Sequence, residues 1–336
     1  MFNLIKKISK KFISKSLVIG DNIVEEFLNG KVYTAVLSNS ASTNTLFTNA
    51  AEIIISPPTE IELLEKVKIK KDSDWIVACG GGKINDISKF LAKKYKKKLC
   101  IVPGVLSTTS WLNGAIALRK ENVLCFAGEK WPNKVLFDTD FLMKSPFFLH
   151  LAGLADLMCC CSAIGDWKIA SYRGKEKFSM KGYNAYIKYA KDIISEHPKF
   201  EHEDKEALML ILHYFLEGLA LCGASMSGRP LEGSEHYIYY YLDEISKNSL
   251  IHGSVIAVTS LFCLKLQKEN AAIDPETLKS FYKKLGFRMT YIQRFSPDFF
   301  KKIKYFIEER KLGYSILNEL KENEYSIEKI NDWLFS

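Results

Sequence analysis

Short apolar runs alternate with amphipathic stretches along the first 145 residues of the chain. Runs rich in β-branched residues and bounded by Gly, Pro or polar loops predict strands, and stretches with helical spacing predict helices. The predicted strands are Lys31–Ser38, Ala51–Ser56, Trp75–Cys79, Leu99–Pro103 and Val135–Phe137, and the predicted helices are Glu60–Val67 and Ile84–Lys94. Strands separated by helices at this rhythm are typical of a parallel sheet covered on both faces.

The strand rhythm ends near Ser145, and long helical patterns follow. The predicted helices of this part are Phe147–Ser171, Tyr183–Glu196, Asp204–Ser225, Gly233–Ile245 and His252–Glu269, with several more to the C-terminus. We therefore predict a Rossmann-like α/β nucleotide-binding domain over residues 1–145. An all-helical metal- and substrate-binding domain is predicted over residues 146–336.

Composition changes this picture little. The 336 residues suit two domains, and 47% hydrophobic with 26% charged residues is ordinary for a globular protein. The net charge of +8 comes from lysines in separate segments without a nucleic-acid motif, so no nucleic-acid partner is predicted. The eight cysteines form no CxxC pair and favour buried thiols in a reducing cytoplasm. We expect the run Cys159–Cys161 to pack in the core.

The N-terminal segment carries Ile5, Ile8 and Phe12 at helical spacing with lysines between them. This pattern fits a helix packed on the domain by one face, or one that associates weakly with a membrane surface. No uninterrupted apolar region of a signal peptide is present. We expect no stretch elsewhere to be long and apolar enough to span a bilayer.

A glycine-rich turn follows the predicted strand Trp75–Cys79. Gly80, Gly81 and Gly82 precede the helix Ile84–Lys94, where glycines allow close approach of a ligand and the helix N-terminus favours a phosphate. The pattern is not the GxGxxG fingerprint of dinucleotide-binding proteins, so the glycines alone are weak evidence. They predict a phosphate-binding turn at the carboxyl end of a strand.

Three side chains of the helical part form a candidate metal site. Asp156 lies in an apolar helix, and His236 and His252 each stand near a predicted helix start. One carboxylate and two imidazoles are suitable ligands for a divalent metal and leave a position open for a substrate oxygen. Each residue taken alone is as easily a packed or hydrogen-bonded core residue, and the six histidines of the chain allow other pairings.

Four motifs together resemble the dehydroquinate synthase-like superfamily, most closely the sn-glycerol-1-phosphate dehydrogenases, relatives of glycerol dehydrogenase and the iron-containing alcohol dehydrogenases. Gly80–Lys89 is similar to the family's pyrophosphate loop GGGxxxDxxK, and Val102–Thr109 to its VPTxxST loop. The other two motifs are Phe137–Asp140 with Gly153–Leu157 and Asp166–Ala170, and Ser227–His236 with His252–Gly253. The resemblance covers roughly residues 15 to 290.

The resemblance implies a cofactor, a metal and a reaction. Asp156, His236 and His252 would bind zinc, with iron or nickel as alternatives. The pyrophosphate of NADPH or NADH would lie on Gly80, Gly81 and Gly82 with Asp86 and Lys89 behind, and Thr108 and Thr109 would edge the nicotinamide. The metal would polarise a ketone and the nucleotide would deliver hydride. A homo-oligomer is also expected.

Several positions depart from the family pattern around the substrate. Gly104 replaces the threonine of VPT, Thr109 or Asn113 stands where relatives have an acidic residue, and Ser254 replaces a glutamate after His252-Gly253. The substrate is therefore predicted only as a phosphorylated or nucleotide-linked ketose or polyol, resembling dihydroxyacetone phosphate. Arg229 and Lys168 are candidate phosphate contacts.

Two alternatives remain open. One is a lyase or cyclase of the dehydroquinate synthase kind, which uses the nucleotide transiently, although Trp111–Ala115 lacks that branch's lysine-rich signature. The other is a catalytically degenerate scaffold. The segment Ser38–Thr43 contains Ser, Asn and Thr without a clear carboxylate, which slightly favours NADPH over NADH.

Overall fold

The computed structural model describes residues 16–39, 46–225, 227–246, 250–320 and 325–336. The basic N-terminal segment and residues 40–43 of the segment Ser38–Thr43, which is expected to select NADPH, lie outside them. The described chain forms two compact units, the first ending at His150 and the second beginning at Leu151. This division falls five residues after the predicted boundary at residue 145, inside a helix.

A parallel sheet forms the centre of the first unit. Within the described residues, six strands are ordered β1-β8-β5-β4-β2-β3, and every neighbouring pair is parallel. The sheet strands are β1 (Leu17–Gly20), β2 (Tyr33–Leu37), β3 (Glu52–Ile55), β4 (Trp75–Gly80), β5 (Lys98–Pro103) and β8 (Lys134–Asp138). The inner strands β2, β4 and β5 are buried almost throughout, whereas β1 and β3 are partly exposed edges. The predicted parallel α/β class is confirmed.

The strand order reverses between β2 and β4. After β2 the chain adds β3 on one side, then returns to place β4, β5 and β8 on the other side. The backbone N–H of Ser38, just after β2, donates to the carbonyl of Cys79 in β4 at 3.0 Å. In open parallel sheets the crevice at such a reversal is where ligands bind, at the carboxyl ends of the strands. The glycine turn after β4 occupies this position.

The sequence pattern missed several elements of the first unit. Strand β1 and helix α1 (Ile23–Leu28) precede the first predicted strand, and β6 (Ala115–Lys120) pairs with β7 (Val123–Glu129) as an antiparallel hairpin. The hairpin turn consists of Glu121 and Asn122, both with positive φ, the conformation that a two-residue turn requires. The remaining helices of this unit are α2 (Ile61–Leu64), α3 (Gly82–Lys94) and α4 (Thr139–Leu142).

The described residues of the second unit form helices and turns without a strand. Its helices are α5 (Phe147–Leu157, which begins in the first unit), α6 (Cys160–Tyr172), α7 (Met180–Ser195), α8 (His197–Phe200), α9 (Lys205–Ser225), α10 (Ser234–Ile245), α11 (His252–Gln267), α12 (Pro275–Lys284), α13 (Phe299–Glu309) and α14 (Ile327–Phe335). Helix α11 is buried on all faces, since only His252 and Lys265 are partly exposed. It packs against α6, α10, α12 and α14 and is the central helix of the unit.

The predicted helix Phe147–Ser171 is interrupted after Leu157. Around the break, the N–H of Cys159 donates to the carbonyl of Asp156, and the N–H of Cys161 donates to the carbonyl of Met158. These hydrogen bonds span three residues instead of the four of an α-helix. Periodicity did not indicate this break, because the residues on both sides of it are apolar. The run Cys159–Cys161 is buried as predicted.

Two expectations need correction. Cys125 and Cys222 are half-buried rather than buried. The helical stretches Phe147–Tyr172, with 26 residues, and Lys205–Ser225, with 21, are long and apolar enough to span a bilayer by length and composition. The apolar window of the first is 89% buried within the fold and that of the second 44%. They are weak evidence for a membrane span, because central helices of globular proteins have the same composition.

Candidate metal centre and nucleotide loop

The three predicted metal ligands converge in the second unit. Asp156 is the penultimate residue of α5, His236 lies in the first turn of α10, and His252 begins α11. The Nε2 atoms of His252 and His236 lie 3.0 Å and 3.4 Å from the same atom, Asp156 Oδ1. The ligand atoms of all three residues lie within 4.8 Å of one another.

Burial and charge distinguish this cluster from a surface ion pair. Burial alone would raise the pKa of the Asp156 carboxyl, but the charge of His252 and the hydrogen bonds from His236 and His252 lower it. Burial disfavours a charged His236, yet its contacts with Asp156 and Glu235 raise the pKa of this imidazole to about 10. The Asp156 carboxylate is therefore ionised and contacts both imidazole rings. A metal cation could take the place of the protons that the two rings now direct at this carboxylate.

Close backbone contacts determine where the ligand-bearing helices begin. A Cβ added to Gly253 would lie 1.7 Å from the carbonyl oxygen of Ala152 in α5. A Cβ on Gly233, just before α10, would lie 2.8 Å from both the Cα of Ala163 and Oδ2 of Asp166. Only glycine permits these approaches, so the glycines beside His252 and His236 allow the helix starts to reach Asp156.

The donor set fits a divalent transition metal. A carboxylate and two imidazoles are the ligands that zinc and ferrous iron accept, and three protein ligands leave room for a further one. Asp156 and His236 are buried, and His252 is partly exposed. The ring of Tyr239 stands edge-on to that of His252, with 4.2 Å between ring centroids. The site could therefore hold the metal that the motifs predicted.

The glycine turn of the first unit lies where a phosphate is expected. Gly80 ends β4 and Gly82 begins the 13-residue helix α3. A Cβ on Gly80 would lie 2.8 Å from Ile84 and 3.1 Å from Ser38, and a Cβ on Gly104 would lie 3.2 Å from the Cα of Gly80. The Gly104 substitution for the family's threonine thus accompanies direct backbone contact between the two loops, including the bond from Gly104 N–H to the Gly80 carbonyl at 3.0 Å.

Thr108 lies against the glycine turn, and Thr109 begins the short 3-10 helix that comes next in the chain. The Thr108 Oγ1 atom would lie 3.0 Å from a Cβ built on Gly82. The side chain of Thr108 caps the short 3-10 helix Thr109–Leu112, and Ser110 Oγ accepts from the Asn85 side chain at 2.9 Å. Sequence reasoning missed Ser110 and Asn85, which connect the two loops, although Asn85 lies inside the quoted glycine motif.

Asp86 and Lys89 lie behind the turn as an internal pair. The Lys89 ammonium is fully buried and donates to Asp86 Oδ1 at 2.9 Å, Asn113 Oδ1 at 3.3 Å and the Ala115 carbonyl at 2.8 Å. Burial raises the pKa of Asp86 to about 6, against the opposing charge of Lys89. Because its three donors have acceptors, Lys89 positions α3 against the start of β6 rather than reaching a ligand directly.

Other predicted contacts take structural roles. Arg229 pairs with Glu176 at 3.0 Å and bonds the hydroxyl of Tyr237 and the carbonyl of Tyr314. Lys168 lies over the ring of Tyr172, 5.7 Å from its centroid. Neither cation is directed at the candidate sites by these contacts. The Ser254 hydroxyl is buried and has no hydrogen-bond partner among the described residues.

Known proteins are similar to this chain in sequence. Residues 1–146 match the model of a family described as iron-containing alcohol dehydrogenase. A protein of Methanosphaera stadtmanae named glycerol-1-phosphate dehydrogenase, NAD(P)+, is 28% identical over 65% of this chain and 62% of its own length. The alignment thus spans less than two thirds of that relative.

Solved structures are similar over nearly the whole chain. A probable glycerol dehydrogenase from Sinorhizobium meliloti has a TM-score of 0.65 at 16% identity and covers 95% of both chains. An iron-containing alcohol dehydrogenase from Thermotoga maritima has a TM-score of 0.63 at 16% identity over 95% of this chain and 96% of its own. The chain therefore has the fold of the iron-containing alcohol dehydrogenases. The predicted resemblance, with glycerol-1-phosphate dehydrogenases among the relatives, is confirmed.

Proposed function

We propose that the protein is a metal-dependent NAD(P)H oxidoreductase that reduces the ketone of a small phosphorylated substrate resembling dihydroxyacetone phosphate. The observation that carries this proposal is the convergence of Asp156, His236 and His252 within 4.8 Å. The name of the similar Methanosphaera protein supports both the cofactor class and the phosphorylated polyol. A nucleotide-linked ketose remains within the proposed substrate class.

In this proposal the second unit holds the metal and the first unit holds the nucleotide. When bound, a divalent metal supplies a Lewis acid for the ketone oxygen, and the nicotinamide supplies the hydride. Asp156, His236 and His252 bind and orient the metal in a buried setting. Gly80–Gly82 and the N-terminus of α3 bind the pyrophosphate through backbone N–H groups, and Thr108 lies beside this turn. The eight cysteines, all within the described residues, are free thiols, which supports a cytoplasmic location.

The test is loss of nicotinamide absorbance with zinc- or iron-loaded protein. NADPH and NADH are each offered with dihydroxyacetone phosphate and a panel of larger phosphorylated and nucleotide-linked ketoses. Stoichiometric consumption of the reduced nucleotide supports the proposal and excludes a lyase that re-reduces its own product. Absence of turnover across the panel by metal-loaded protein would contradict it.

A matched pair of variants tests the metal assignment. His252→Ala removes one ligand, and we expect it to lose both bound metal and turnover while the protein remains folded. His213→Ala makes the same change at an exposed histidine of α9 and should retain both. Metal content by atomic absorption and folding by circular dichroism are measured on the same preparations. Unchanged turnover in His252→Ala would refute the assignment.

A further inference from the structure

A buried carboxylate contacts the outer nitrogen of one metal ligand. Glu235 Oε1 lies 3.0 Å from Nδ1 of His236, the ring nitrogen opposite to the one that faces Asp156. The Glu235 residue is fully buried. We propose that Glu235 is a positioning residue that fixes the His236 ring and its tautomer for metal binding. This inference rests on the proposed function, because the metal is the one proposed there.

Two further hydrogen bonds hold Glu235 in place. The backbone N–H of Gly233 donates to Oε1 at 2.7 Å, and the hydroxyl of Ser162 in α6 donates to Oε2 at 2.7 Å. Both oxygens of the carboxylate are therefore anchored, one by the turn before α10 and the other by a neighbouring helix. Because both of its oxygens are held, the Glu235 carboxylate has a fixed position, and the His236 ring takes the orientation that allows their hydrogen bond.

The contact determines which nitrogen of His236 carries the proton. Both Glu235 oxygens act as acceptors, one for the Gly233 N–H and the other for the Ser162 hydroxyl, so the proton shared with His236 lies on Nδ1 when the ring is neutral. The Nε2 lone pair is then directed toward Asp156, as a metal ligand requires. Without Glu235, the proton can move to Nε2 and the ring can rotate, and both changes oppose metal binding.

Cys159 offers a competing arrangement. Its thiol, Glu235 and His236 also place one ligand atom each within 4.8 Å of one another. A metal held there would use Nδ1 of His236 and would displace the contact with Glu235. The Cys159 Sγ atom instead lies 3.4 Å from the carbonyl of Leu231, and both Glu235 oxygens already accept hydrogen bonds. These contacts favour the site at Asp156, and a metal–thiolate signature would reveal the other.

Glu235→Gln is the decisive variant because it keeps the shape of the side chain. The Gln oxygen can still accept from Gly233 and His236, while its amide can donate to Ser162. The Ser162 hydroxyl can then donate to the Cys159 carbonyl, 3.1 Å away. The negative charge is lost and the hydrogen bond with Ser162 reverses its direction, while the acceptor for His236 is kept. Glu235→Leu removes the acceptor as well, so the pair separates the effect of charge from that of tautomer.

Glu232→Gln is the matched control. Glu232 lies three residues earlier, is exposed, and accepts a hydrogen bond from the hydroxyl of Tyr240 at 2.8 Å. The chemical change is identical, but its partner is not a metal ligand. Zinc dissociation constants are measured for the full-length wild type and each variant by competition with a chromophoric chelator. The absorption spectrum of the Co²⁺ form reports on the ligand set.

We expect zinc to bind about 10-fold more weakly to Glu235→Gln and about 100-fold more weakly to Glu235→Leu, while Glu232→Gln matches the wild type. The Co²⁺ spectrum of the wild type should lack a thiolate charge-transfer band. Wild-type zinc affinity in Glu235→Gln and Glu235→Leu would overturn the inference but leave the proposed function standing. A thiolate band would also overturn it, and failure of the wild type to bind metal would overturn both.

Discussion

The approach of α11 to α5 gives the sharpest prediction, which is that Gly253→Ala disrupts the metal site without removing a ligand. The added Cβ would lie 1.7 Å from the Ala152 carbonyl oxygen, whereas such contacts are essentially never closer than 3.0 Å. The two helices must therefore separate by about 1.3 Å, well beyond the tolerance of about 0.2 Å for metal–ligand distances.

The strain can be converted into an expected effect. Overpacking against the backbone costs about 2–3 kcal/mol, the upper part of the usual range, because a carbonyl group cannot rotate away as a side chain can. The metal-free helices can relieve this strain by separating, but the metal-bound form must bring His252 back to Asp156. Zinc affinity should therefore fall by about 30- to 150-fold.

The assay is chelator competition for zinc, with thermal melting of the same samples. Gly228→Ala is the matched control, since a Cβ at Gly228 meets nothing within 4 Å and its φ of −79° suits alanine. The control should bind zinc as the wild type does. If Gly253→Ala binds zinc as tightly as Gly228→Ala, the close approach does not govern ligand placement and the reasoning is refuted.

Two further predictions concern the first unit. Between pH about 4 and 6 the folded protein holds a proton on Asp86 that the unfolded chain releases, so wild-type stability falls as pH rises through this window. Asp86→Asn should remove about 3 kcal/mol of this pH dependence in urea unfolding, and identical pH dependence in both proteins would contradict it. His150 accepts from the Leu106 N–H at 3.1 Å, and its Nε2 lies 3.1 Å from the Leu142 carbonyl. His150→Phe removes the acceptor of the Leu106 N–H, which belongs to the loop Val102–Thr109 predicted beside the nicotinamide. NADPH binding should therefore weaken about 10-fold in a fluorescence titration while zinc affinity stays unchanged, and equal loss of both would argue against a local role.

The sequence predicted the inner sheet well, because β2, β4 and β5 are buried on both faces and show as continuous apolar runs. The structure places each of them within two residues of the predicted bounds. Strand β1 escaped prediction, although its four residues of mixed burial match β3 in length and exposure. The break near Cys159 escaped because hydrophobicity does not distinguish a continuous helix from two successive buried helices.

The metal site depended on the resemblance, since spacing alone left several histidine pairings open. The structure places other histidines elsewhere: His150 in backbone contacts, His197 beside Glu201 at 4.0 Å, and His213 beside Glu217 at 3.7 Å. Lys89 shows the limit of motif reasoning. The motif places Lys89 behind the glycine turn, but only the positions of its three acceptors show which groups it holds there.

Glu235 could have attracted attention as a carboxylate adjacent to a predicted ligand and preceded by a Gly-Ser turn. Neighbours in sequence on a helix usually point in different directions, however, so adjacency does not predict contact. The contact arises because Glu235 lies at the helix start, where its side chain folds back to the N–H of Gly233. The contact between Glu235 and His236 therefore depends on the position of Glu235 at the start of the helix, which the sequence motif does not reveal.

The His252–Asp156 contact joins residues 96 positions apart in the chain. A metal bound there would act as a cross-link that closes a long loop, and restraint of such a loop in the unfolded chain grows with the logarithm of its length. During synthesis, this closure must wait until His252 has left the ribosome, whereas the glycine turn is complete more than a hundred residues earlier. Under the proposed function, metal binding by all three ligands therefore comes late in synthesis, and a chain truncated before His252 would lack one of the three proposed ligands.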